Sequence, residues 1–131
     1  MLPSGFPEAV ADEETLARFL TSSSYFSATT VKPAAFLPNP KAGMTTSVFR
    51  HDAGNLIQIA RDRRPDVSIH GAAVCKAAAV RAAKLEVVAE EPPPLHANIV
   101  GWPVEADPVL QKAAQREKAL VITSKCKLVL F

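Results

Sequence analysis

No stretch of this sequence stays apolar long enough to cross a bilayer. Its longest apolar runs, such as AVCKAAAV at 73–80, are broken by Lys76 and stopped by Arg81, whereas a spanning helix needs about 20 apolar residues. Glycine is also scarce and scattered, five residues in all. There is no Walker loop, no GxGxxG and no GxSxG elbow, and the HExxH pair and EF-hand loop are missing too. The common nucleotide folds are thereby excluded, because they need glycine where backbone amides approach phosphate. Aromatic residues make up 6%, with one Trp and one Tyr, too few for a base-stacking platform. A net charge of +2 supplies no broad attraction for nucleic acid.

Cysteine occurs twice, as Cys75 and Cys126, far apart in the chain and without a CxxC partner. The three histidines are likewise not spaced as ligand pairs, so neither a metal nor a cofactor is expected. Both cysteines are expected to be reduced, uncoordinated thiols that pack as small hydrophobes. The opening MLPSGFPEAVADEE has no basic n-region and no apolar h-region, and a cytoplasmic location without membrane association is expected.

What remains is an ordinary globular composition. The chain has 131 residues, 48% apolar and 21% charged, enough for one hydrophobic core built mainly of Leu, Ile, Val and Ala. Residues 1–11 read as a flexible N-terminal arm, and 12–131 as a single globular domain. Asp12 can cap a helix over EETLARFL. TSSSYFSATTV reads as a strand or extended edge, and KPAAFLPNPKAG as a proline-broken loop that tucks in Phe36 and Leu37. TTSVFR (45–50) is a strand, and Asp52 caps a helix over AGNLIQIARDR that Pro65 ends. DVSIH is a short strand, GAAVCKAAAVRAAK a helix and LEVVA a strand. EEPPP is an extended polyproline-like connector that leads into a strand over HANIVGW. Asp107 and Pro108 start the last helix, with Leu110, Ala113, Ala114, Leu120 and Val121 as its buried stripe, and CKLVLF closes as a strand. The fold class expected is α+β: one compact domain, a small mixed sheet and three to four helices packed on it.

One constellation carries chemistry. Arg50 and His51 end one strand, His70 ends another, and His96 and Asn98 share a face of a third because side chains alternate along a strand. Trp102 falls on the same face if that strand stays regular. Imidazole can move protons near neutral pH, so His96, His70 and His51 are the candidate catalytic residues. Arg50, His96, Asn98 and Trp102 form the candidate ligand site, with Arg50 as an anion clamp. A separate run of basic residues covers 61–84, including Arg61, Arg64, Lys76, Arg81 and Lys84.

TSVFR together with LHANIVGWP resembles segments shared by small uncharacterised bacterial proteins, over the span from about Ser47 to the last helix. The resemblance implies a bacterial cytosolic domain and attaches no activity. The first expectation for function is an accessory or binding module working in a complex with a larger protein, or as a homo-oligomer. The alternative is a small enzyme or binder that acts on a nucleotide or other phosphorylated ligand through Arg50 and His96. Nucleic-acid binding through the 61–84 surface stands third.

Overall fold

A computed structural model of the chain describes residues 2–51, 56–63 and 68–131. TSVFR forms strand β2 (Thr46–Arg50), as its β-branched and aromatic content favours. It lies inside a six-stranded sheet with β1 (Thr15–Leu20), β3 (Gly71–Lys76), β4 (Glu86–Ala89), β5 (His96–Val100) and β6 (Lys127–Leu130), in the order β4-β5-β2-β1-β3-β6. Three helices complete the α+β architecture: α1 (Leu56–Arg63), α2 (Ala77–Ala82) and α3 (Pro108–Thr123). Among the described residues every strand pairing is antiparallel, so the sheet is not mixed. No described helix is long and apolar enough to cross a membrane.

Four segments correct the sequence reading. EETLARFL is not a helix; Thr15–Leu20 is an inner strand of the sheet, paired with β2 and β3. GAAVCKAAAVRAAK is not one helix either, because its first half is β3 and only Ala77–Ala82 is helical. Both strands carry small or apolar residues on each side of the pleat, Ala17 and Phe19 opposite Leu16 and Leu20 in β1 and Ala72 and Val74 opposite Ala73 and Cys75 in β3, so their alternation is hidden. Alanine's high helix propensity is overridden by pairing with two neighbours. TSSSYFSATTV is no strand: it holds a 3-10 turn at Ser23–Tyr25 and a single bridge between Phe26 and Val31. DVSIH contributes no described strand residue; 64–67 lie outside the described residues, as does Asp52. EEPPP does not run on as an extended connector but turns the chain back, since β4 and β5 are antiparallel neighbours.

The core lies on one face of the sheet. Leu16, Leu20, Val48, Ala73, Ala97 and Ile99 pack there against Val80 of α2, Ala119 and Ile122 of α3, and the buried Phe36. The last helix starts as its sequence dictates, with the Asp107 carboxylate accepting the Val109 N–H at 2.8 Å and Pro108 in the first turn. Its buried stripe is different from the expected one: Gln115, Ala119 and Ile122 face inward. Ala113 is exposed, Leu110 and Leu120 are 59% and 47% exposed, and Ala114 and Val121 are half-buried. The phase of α3 is set by the Gln115 amide, which donates to the Pro103 carbonyl at 3.0 Å.

The opposite face carries a row of rings. Phe131, Phe19, Phe49 and His96 follow one another across the sheet, with successive centroids 6.4, 5.6 and 5.4 Å apart. The N-terminal segment is tied down by polar contacts. Ser4 donates through N–H and hydroxyl to the Glu91 carboxylate at 3.0 and 2.6 Å, and Val10 enters the core.

Candidate functional site

Alternation along β5 places His96 and Asn98 on one face, and the β2–β5 register sets Phe49 opposite His96 and Ser47 opposite Asn98. Cross-strand partners share a face, so Ser47, His96 and Asn98 form one polar group beside the Phe49 ring. The His96 ring is bonded at both nitrogens. Nδ1 lies 2.8 Å from the Glu90 carbonyl and Nε2 lies 2.7 Å from the Ser47 hydroxyl. A carbonyl can only accept, so Nδ1 carries a proton, and in the neutral ring Nε2 accepts the Ser47 O–H. The Asn98 amide donates to the Glu90 carboxylate. Glu90 thus orients both side chains, one through its backbone and one through its side chain.

The cation of the site is Arg18, which the sequence reading placed on a helix and passed over. The β1–β2 ladder consists of two pairs, Leu16–Arg50 and Ala17–Phe49. Where it stops, the Arg18 guanidinium sits beside the parting strands, donating from Nε to the Ala35 carbonyl at 2.8 Å and from Nη1 to the Ser47 carbonyl at 2.9 Å. Burial pushes the guanidinium below its ordinary value, with Tyr25 acting in the opposite sense, but a guanidinium remains charged throughout the working range. Among the described residues no carboxylate lies within ion-pair distance of Arg18. Of its five N–H donors, two are engaged by carbonyls. A cavity of about 300 Å³ opens here, lined by Arg18, Thr45, Ser47, Glu90, His96 and Asn98 among others.

Arg50 does not belong to this site. It stands next to Phe49, so alternation puts it on the face opposite His96, level with Leu16. It is fully buried, and Glu14 engages it in a two-pronged pair, Nε to Oε1 at 2.8 Å and Nη2 to Oε2 at 2.9 Å. The Phe6 ring covers it, centroid 5.0 Å from the guanidinium carbon. An anion clamp at Arg50 shared with His96 is therefore ruled out by the register. Trp102 also departs from the expected face. Gly101 has φ of 91°, which breaks the strand alternation, and Trp102 turns into the core.

The remaining histidines lie elsewhere. His51 follows β2 at the end away from Thr45, its N–H bonded to the Thr15 carbonyl. His70 is exposed before β3 and packs its ring 5.8 Å from that of Phe26. In the basic 61–84 segment, Arg81 bonds the carboxylates of Asp12 and Glu86 at 2.6 and 2.7 Å, and Lys76 donates to the Glu13 carbonyl; Arg64 lies outside the described residues. Among the described residues no group of His, Cys, Asp and Glu could hold a metal ion.

Strand alternation alone brings His96 and Asn98 together, whereas Ser47, Glu90 and Arg18 join them through the register, a tight turn and the parting of two strands. No protein-family model, curated protein or solved structure matches this chain.

Proposed function

We propose that the protein is a small binding module whose Arg18 pocket accepts the carboxylate or phosphate of a ligand. One observation carries this reading: a largely desolvated guanidinium, with no carboxylate partner among the described residues, faces a polar cavity of about 300 Å³. Guanidinium donors fit planar or tetrahedral oxyanions, and the Ser47, His96 and Asn98 side chains supply neutral contacts around them. The Glu90 carboxylate on the rim disfavours polyanions and favours a ligand that pairs its acid with an amine or hydroxyl. The accessory role in a cytoplasmic complex draws support from α3, where Val109 and Leu110 project apolar surface outward. Nucleic-acid binding draws little, since Arg81 and Lys76 are engaged within the chain.

Thermal denaturation against a panel of amino acids, hydroxy acids and inorganic phosphate tests the proposal. A ligand that binds only the folded chain raises the melting temperature with its concentration. Thr45→Glu, which adds a negative charge at the rim, should remove the shift while leaving the unliganded midpoint in place. A panel that shifts nothing, or a shift that survives in Thr45→Glu, overturns the reading.

A second reading rests on the Ser47–His96 geometry. A hydroxyl bonded to an imidazole that a third group orients is the arrangement of an activated nucleophile, and it would transfer an acyl group through Ser47. Labelling by a fluorophosphonate probe, lost in Ser47→Ala, would support turnover; an unlabelled Ser47 leaves the pocket as a binding site.

A further inference from the structure

The two cysteines, far apart in sequence, meet in the fold. The antiparallel β3–β6 ladder ends with Val74 opposite Lys127, and extending that register by one residue brings Cys126, just before β6, level with Cys75 of β3. Cys75 lies in the core cluster and Cys126 packs against that cluster. Antiparallel partners have Cα atoms about 4.5 or 5.5 Å apart, and both values lie inside the range a disulfide spans. Both residues belong to the core region under the sheet, Cys75 buried and Cys126 half-exposed, and both are free thiols.

We propose that Cys75 and Cys126 are a redox-active dithiol site that exchanges with low-molecular-weight disulfides and closes into an intramolecular disulfide between β3 and β6. Cys126 is the less buried residue of the two, and the mixed disulfide forms there. As a thiolate it attacks one sulfur of the external disulfide, the new S–S bond forms, and one external thiolate leaves. Cys75 then attacks the Cys126 sulfur and expels the second external thiolate. In sum two protein thiols give up two protons and two electrons, and the external disulfide leaves as two thiols. The facing Cys126 thiol holds the Cys75 thiol below its ordinary value against the opposing effect of burial. The facing Cys75 thiol and burial push the Cys126 thiol up, which slows attack from the protonated pair.

The consequence falls on β6. This strand of four residues is an edge of the sheet, and the disulfide would fasten it by closing a loop of about fifty residues. In a reducing compartment the pair rests open, and the edge is held by backbone pairing and side-chain packing.

Equilibration of the full chain in glutathione buffers of stepped oxidised-to-reduced ratio, followed by intact mass and free-thiol counting, tests this. The expected product is a monomer lighter by about 2 Da with both thiols lost in one two-electron transition, and a melting temperature raised by roughly 5–10 °C. Cys75→Ser should stop at one glutathione adduct on Cys126. Wild-type chain that keeps both thiols in the most oxidising buffer, that accumulates a stable glutathione adduct, or that forms disulfide-linked dimers overturns the proposal.

Discussion

Arg50 and Glu14 form a two-pronged ion pair at 2.8 and 2.9 Å, the arginine without solvent contact and the carboxylate at the margin of the core. The pair anchors the segment before β1 to β2, with Phe6 laid over the guanidinium and Val10 packed nearby. A buried charge that loses its partner is more damaging than a pair replaced as a whole. Glu14→Leu should therefore destabilise the protein by about 3–5 kcal/mol. Glu14→Leu combined with Arg50→Met should lose clearly less. Urea unfolding of the three proteins checks this, and equal losses would show that the pair is not coupled.

The same pair sets an acid limit. Burial acts to raise the Glu14 carboxyl, but the Arg50 hydrogen bond, the Ala11 N–H and the charges of Arg50 and Arg81 outweigh it, so it is held below its ordinary value of 4.5. A carboxylate with a lowered folded value stabilises fully above the unfolded value and loses that contribution as pH falls through the folded one. Stability should thus be flat in Glu14's contribution above about pH 5 and decline below about pH 4. In Glu14→Leu that part of the acid slope should be absent, as measured by unfolding midpoints across the pH range.

Gly71 and Gly101 should fail for different reasons. A Cβ on Gly71 would stand 2.3 Å from the Val129 carbonyl oxygen and 3.0 Å from the Leu130 Cα. Both are backbone atoms of β6, so the strand itself must shift. Gly71→Ala should destabilise by about 1–3 kcal/mol and speed hydrogen exchange in β6 before the rest of the sheet. Gly101 has open space around it, its nearest neighbour being Leu85 at 3.9 Å, but its φ is 91°. Gly101→Ala should cost about 1–3 kcal/mol of backbone strain, without local loss of protection in β6. Exchange that is equal in the two variants would contradict the distinction.

His96 offers a test that separates its two bonds from its ring contact. His96→Phe keeps the stack on Phe49 and loses the bonds to Ser47 and the Glu90 carbonyl, while His96→Ala loses both. His96→Ala should fall below His96→Phe in stability by about 1 kcal/mol. Both should lose any ligand-induced rise in melting temperature that the native chain shows.

Elements with one buried face or strong end signals were legible in advance. β2, β4 and β5 show β-branched runs, and α3 is announced by Asp107 and Pro108. β1 and β3 were not legible, because LARFL and GAAVCK lack a β-branched run, and a short apolar run fits either period. That misreading concealed Arg18. Its position midway between Leu16 and Leu20, both inward, was the one available signal, a cation on the apolar side of an alternating run. Asn98 and His96 were found because alternation is local. Ser47 and Glu90 depend on register and turn geometry, which no single segment encodes.

The strand order also bears on how the chain is made. β1 comes first in sequence but lies inside the sheet, between β2 and β3. During synthesis β2 can fill one of its edges first, but the other stays unfilled until Lys76 has left the ribosome, and the sheet is complete only once β6 has emerged. Pairings of such long separation close slowly, and unfilled strand edges invite association with other chains meanwhile. Truncation within β6 should therefore reduce soluble yield more than it reduces the helical content of what is recovered.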